Sequence, residues 1–243
     1  MAVLGVAQTE KESSATWFAE GNAAYNAGNY EQALELFENI LKTEQESAPL
    51  YYNMGNTYYK MKEYPMAILY YEKALKLDPG NEDIKANLEI ANLAVVDRIK
   101  PIPQSFIAKW WNNLKALFSP NGWAWMSVGS FAMLLLCLFA FLVSRRTGIR
   151  KAGFFIGVLA LLALAISVLF SVEKWKDTKH QDEAIVMTPT VTVKSSPSVS
   201  SVDLFVLHEG TKVKIMDSAE GWNKIKIADG SVGWMQSGDM VAF

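Results

Sequence analysis

Acid–base and nucleophilic chemistry have little to work with in this chain. Histidine occurs twice, at His180 and His208, and cysteine once, at Cys137. No serine–histidine–aspartate or cysteine–histidine set can be assembled, and neither a phosphate-binding glycine loop nor a cluster of metal ligands is present in the sequence. Cys137 sits in an apolar run, where it can neither pair within the chain nor hold a metal alone. His208 precedes a turn, has no second ligand nearby, and reads as a surface residue. These patterns point away from an enzyme and imply no cofactor and no metal. A net charge of -2 over 243 residues makes no electrostatic case for nucleic acid. What remains is charge placement: Arg145, Arg146, Arg150 and Lys151 put four cations into seven residues.

Two uncharged runs flank those cations, Asn121 to Ser144 and Ala152 to Val172. Each exceeds the length of about 18 residues that separates a bilayer span from a buried core helix. In hydrocarbon only a helix satisfies its own backbone polar groups. The sequence therefore predicts a transmembrane α-helical hairpin over 121–172, with spans at about 123–143 and 152–172. A tight hairpin leaves both flanks on one side of the bilayer. Lys and Arg are retained on the cytoplasmic face, so the turn is expected inside and both soluble parts outside. The outer flanks oppose this at lower density, with Arg98, Lys100, Lys109 and Lys115 before, and Lys174, Lys176 and Lys179 among acids after. Neither span holds an ionisable residue, so the pair reads as an anchor rather than a conduit. Gly153 and Gly157 could admit a close helix, from within the hairpin or from a partner.

The chain is 51% hydrophobic, mostly through the spans, and the remainder suffices for two small soluble units. Residues 1–13 allow two readings. Gly5-Val6-Ala7 has the small-x-small look of an export-signal cleavage site, although the stretch is too short and lacks a charged lead. The other reading is a disordered terminus.

From residue 14 the chain repeats itself at a shift of 34: Gly21/Gly55, Asn22/Asn56, Tyr25/Tyr59, Tyr30/Tyr64, Ala33/Ala67, Glu38/Glu72, Leu41/Leu75 and Lys42/Lys76. This period and pattern resemble the tetratricopeptide repeat. Units are expected at 14–47 and 48–81, in an array reaching residue 100. The glycines would let paired helices approach, and the large aromatics would fill the space between units. Two repeats leave an apolar face uncovered. Ile84, Leu88, Ala91, Val95 and Ile99 predict a capping helix over 82–100, ended by Pro101 and Pro103. The resemblance implies a concave groove lined by the first helices and places Asn22, Tyr25, Asn53, Asn56, Tyr59, Lys60 and Asn87 on it. An Asn amide can donate to and accept from an extended peptide backbone, and Lys60 could meet a carboxylate. Phe18 stands where the carboxylate-clamp subset carries Lys, so no C-terminal carboxylate ligand is implied. The alternative is that these residues are solvated or buttress the array.

Residues 104–118 place Phe106, Ile107, Trp110, Trp111, Leu114, Leu117 and Phe118 at helical spacing. Beside a span this suits an amphipathic helix at the lipid interface, with Trp110, Trp111, Trp123 and Trp125 as an aromatic belt; a partner-helix site is the alternative. Residues 173–183 read as a short charged linker.

Over 184–243 the pattern changes to short β-rich runs: Ile185–Met187, Val191–Val193, Leu204–Leu207, Lys212–Ile215, Trp222–Ile227 and Val232–Trp234. Asp229-Gly230 is a hairpin signal. About 60 residues of such strands imply a small barrel. Val191-Thr-Val-Lys-Ser-Ser-Pro197, Glu209-Gly-Thr-Lys-Val213, Gly221-Trp222 and Asp229-Gly-Ser-Val-Gly-Trp234 resemble the bacterial SH3-like domain. That resemblance implies binding of cell-wall peptides or protein segments. Trp222 and Trp234 are the surface candidates, unless a barrel this small needs both rings as core.

The expected fold class is thus multidomain: an all-α repeat array, a transmembrane hairpin and a small all-β SH3-like barrel. This order of parts, with Gly122-Trp-Ala-Trp125 opening the first span, is similar to the BatE-type proteins of the Bat aerotolerance system. The resemblance implies a bacterial inner-membrane protein with von Willebrand A-type and tetratricopeptide partners and a MoxR-type ATPase, linked to oxidative-stress tolerance or envelope integrity. Two functions are expected from it: a membrane scaffold recruiting proteins, or a tether or sensor binding cell-wall peptide through the SH3-like domain.

Overall fold

The 34-residue period becomes a pair of helices repeated once, with a fifth helix behind them. The computed structural model describes residues 2–100, 102–103, 105–179 and 182–243. They fall into two units, Met1–Gln104 with Gln181–Phe243, and Ser105–His180. In the first unit the helices are α1 (Ala2–Asn26), α2 (Tyr30–Leu41), α3 (Ala48–Lys60), α4 (Tyr64–Leu77) and α5 (Glu82–Asn92). Helix α1 takes in, from Ala2 onward, the stretch read as a signal remnant or a disordered end. A methyl group on Gly21 would lie 2.5 Å from the Phe37 ring, and one on Gly55 2.6 Å from the Tyr71 ring. The large rings therefore close the contact inside each unit, where the sequence had suggested the space between units. The turns repeat too. Gly28 and Lys62 both take left-handed φ, at 82° and 67°, and donate to Tyr25 and Tyr59 carbonyls at 3.0 and 3.1 Å.

Ser47 caps α3 by accepting from the Leu50 N–H, and Asn81 caps α5 by accepting from Asp83 and Ile84. The capping helix expected through residue 100 stops at Asn92. The chain beyond it makes contacts with the sheet that a helix would not reach. Val95 is buried against Gly210. Asp97 accepts the His208 backbone N–H at 2.7 Å and the Thr211 hydroxyl at 2.8 Å. Ile99 packs on the sheet's core, and the Ile102 N–H donates to the Ala228 carbonyl at 3.1 Å. Val95, Asp97, Ile99 and Ile102 thus strap the helical array to the sheet.

That sheet is antiparallel and seven-stranded: β1 (Glu183–Val186), β2 (Thr190–Lys194), β3 (Asp203–His208), β4 (Lys212–Ala219), β5 (Trp222–Lys226), β6 (Val232–Gln236) and β7 (Met240–Ala242), in the order β3-β2-β6-β5-β4-β1-β7. Six of these follow the expected runs; β7, three residues after a short 3-10 turn, carried no such signal. Register shifts at Val193/Lys194 and Ile215/Asp217 bend it. Val186, Val193, Leu207, Ile225 and Met235 make its core. Ile185 and Phe243 instead join the buried cluster of the helices. Lys212 bridges Glu72 of α4 at 2.9 Å and Glu183 at 3.1 Å, and Lys76 donates to the Phe243 carbonyl at 2.7 Å. So α5 closes one flank of the array and the sheet closes another.

The second unit holds α6 (Phe106–Ala116), α7 (Pro120–Val143) and α8 (Thr147–Lys179). Asn121–Val143 and Thr147–Glu173 are long and apolar enough to cross a membrane. Their apolar side chains are mostly exposed, unlike those of a core helix. The turn narrows to residues 144–146, and Arg150 and Lys151 lie in α8. The linker expected at 173–183 is helical to Lys179, because no Gly or Pro interrupts α8 after the apolar run. Gly153 and Gly157 face Cys137 of α7, which assigns their small surface to the hairpin itself. Trp123 is buried, in contrast to the partly wet belt position expected of it: its ring meets Phe118 and Phe170 at 5.0 and 4.9 Å, and its Nε1 donates to the Lys115 carbonyl. Trp110 and Trp125 are exposed, and Trp111 lays one edge on Phe170.

Candidate functional site

Seven residues expected on a groove come from α1, α3 and α5, and they line two adjoining hollows. Asn22, Tyr25, Asn53 and Asn56, with Asn26, line one. Tyr25, Asn56, Tyr59, Lys60 and Asn87, with Tyr52, Tyr71 and Ile90, line the other. Each encloses about 300 Å³.

The amides form a repeating chain of bonds. Asn53 Nδ2 donates to Asn22 Oδ1 at 2.7 Å, and Asn87 Nδ2 donates to Asn56 Oδ1 at 2.8 Å. Both partners are displaced by 34 residues, so this is one inter-unit bond made twice. Tyr71 also donates to Asn56 Oδ1, at 2.7 Å, and Asn87 Nδ2 reaches the Tyr52 hydroxyl at 3.0 Å. Asn56 Oδ1 has thereby filled both lone pairs. Half of each amide buttresses the array and half makes no bond among the described residues: Nδ2 of Asn22 and Asn56 as donors, Oδ1 of Asn53 and Asn87 as acceptors. An extended peptide presents the complementary alternation of carbonyl and N–H. The rings repeat as well, with Tyr25–Tyr30 centroids 5.7 Å apart and Tyr59–Tyr64 centroids 5.6 Å apart.

Burial pushes the Tyr25 and Tyr71 hydroxyls above the usual tyrosine range, with neighbouring tyrosines adding to it, so both stay protonated donors near neutral pH. Lys60 is exposed at the rim. Asn26, Tyr52, Tyr71 and Ile90 escaped the sequence reading. Asn26 was findable, since it lies 34 residues before Lys60. Tyr71 was not, because its counterpart Phe37 has no hydroxyl.

The sheet presents a second surface. Trp222 and Trp234 are half-buried and lie outside its core cluster. Trp234 is flanked in register by Lys194 of β2 and Lys224 of β5, and Trp222 pairs with Gln236. His208, read as a surface residue, has its ring Nδ1 2.8 Å from Asp97 Oδ1. That partner lies 111 residues away, beyond any local signal. Among the described residues no group of His, Cys, Asp or Glu could hold a metal ion.

Tetratricopeptide repeat models match residues 14–46 and 48–81. These repeats are an interaction fold rather than a catalytic one. No curated protein matches the chain.

Proposed function

We propose that this protein is a membrane-anchored scaffold whose helical groove holds an extended segment of a partner protein. The observation that carries the reading is the amide chain of Asn22, Asn53, Asn56 and Asn87, which repeats across units and leaves unspent donors and acceptors on an open groove. The domain scheme is a tetratricopeptide array over 14–100, an interfacial helix over 104–118, a hairpin over 121–172 and an SH3-like domain over 184–243. The repeats and the sheet share one unit, so both belong in one compartment. Arg145 and Arg146 in the turn, with Arg150 and Lys151 at the start of α8, favour the extracytoplasmic side of a bacterial inner membrane for them. With this order of parts, the resemblance to BatE-type proteins gives the partners: von Willebrand A-type and tetratricopeptide proteins of one membrane system serving aerotolerance or envelope integrity.

Crosslinking in intact membranes, followed by mass spectrometry, tests this. Lys60→Glu changes the rim without touching the amide bonds, and should abolish the partner adduct while leaving thermal unfolding unchanged. Undiminished adducts would refute the groove. A second reading rests on the Lys194–Trp234–Lys224 row: the sheet binds cell-wall peptide. Pull-down by purified wall fragments, lost in Trp234→Ala, would favour it over the scaffold.

A further inference from the structure

At the turn end of the hairpin, Phe141 of α7 and Thr147, Arg150, Lys151, Phe154 and Phe155 of α8 line an open cleft of about 540 Å³. Positions 147, 150, 151 and 154 share one helix face. The lining changes along that face, from a hydroxyl and two cations in the first turns of α8 to phenyl rings about 6 Å beyond the cations, into the apolar run. The Arg150 guanidinium stands 5.0 Å from the Phe141 ring centroid, which holds its donors in place at the mouth of the cleft. Asp and Glu are both absent from Asn121 to Val172, so the hairpin supplies no carboxylate to offset the cations. Phe154 and Phe155 are exposed.

A ligand matching this division has an anionic head and a hydrocarbon tail. We propose that the cleft binds an anionic phospholipid, its phosphate against Arg150, Lys151 and Thr147 and an acyl chain along Phe154 and Phe155. This rests on the membrane reading of the two helices. If the cations served orientation alone, their exact positions in the turn would not matter. Free phosphate would satisfy the cations but would leave the rings uncovered.

The test uses the full chain in nanodiscs of equal phosphatidylglycerol and phosphatidylcholine, with co-purifying lipid counted by native mass spectrometry. Wild type should retain phosphatidylglycerol in clear excess. Each cation near an anionic head contributes roughly a fivefold preference, so Arg150→Gln with Lys151→Gln should cut the excess by about tenfold or more. Arg145→Gln with Arg146→Gln removes the same charge outside the lining and should keep most of it. Equal loss in both double variants, no excess in wild type, or displacement by inorganic phosphate would each overturn the proposal. Vesicle flotation separates the two levels. A chain that floats without lipid preference sinks the lipid site alone, whereas one that does not float sinks the membrane reading with it.

Discussion

Replacing Asp97 with Ala tests how firmly the strap joins the helical array to the sheet. The Asp97 carboxylate takes the His208 N–H at 2.7 Å, the Thr211 hydroxyl at 2.8 Å and the His208 ring at 2.8 Å. Thr211 is buried, and the Asp97 side chain is 14% exposed. A hydrogen bond to a charged group contributes about 1.5–3 kcal/mol net, and water can replace part of this at the ring. Asp97→Ala should therefore cost about 2–4 kcal/mol of local stability, which is roughly 30- to 800-fold faster exchange. Amide hydrogen exchange of the full chain in nanodiscs reads this at His208 and along β3. Asp97→Asn, which keeps the shape and one acceptor, should lose less. Burial by itself pushes the Asp97 carboxyl up, but the bonds from the His208 N–H, its ring and Thr211 outweigh burial and hold it below the usual range. Stability from a lowered carboxyl is present above the unfolded value of about 3.9 and is lost as pH falls through the folded value. Protection of His208 should accordingly decline below about pH 4 in wild type and stay flat in Asp97→Asn. Exchange in Asp97→Ala within twofold of wild type would refute the strap as a structural tie.

Other substitutions probe separate features. Gly55→Ala forces a methyl onto the Tyr71 ring and should destabilise by about 1–3 kcal/mol in thermal unfolding. Lys62→Gly relieves the left-handed φ of 67° and should stabilise by about 1 kcal/mol, read as a raised midpoint. Burial lowers the Lys212 ammonium, but the Glu72 and Glu183 carboxylates outweigh it and raise its pKa. Its stabilising share is complete below the unfolded lysine value of about 10.4 and fades as pH climbs through the higher folded value. Lys212→Met should therefore flatten the alkaline limb of the stability curve.

Local pattern made much of this fold legible. The matched residues at a shift of 34 gave two helix pairs, alternation gave six strands, and uncharged length gave the two long helices. The residues that line the two hollows also surfaced in sequence, because Asn22/Asn56 and Tyr25/Tyr59 obey the same shift. Properties set by distant partners did not surface. Asp97–His208 and Lys76–Phe243 join residues more than a hundred apart, and the apolar spacing of Val95 and Ile99 fits a helix and a strap equally well. The buried place of Trp123 depends on where α6 folds back. The double bonding of Asn56 depends on Tyr71, whose hydroxyl has no counterpart in the first unit.

Ile185 and Phe243 follow the hairpin in the chain but complete the hydrophobic core of helices that precede it. During synthesis the repeats therefore emerge with a missing wall and must wait for α7 and α8 to be made before it arrives. A ribosome stalled in the hairpin would leave an open, sticky array for chaperones or proteases. The array is thus closed only after both long helices and the last strand have been made.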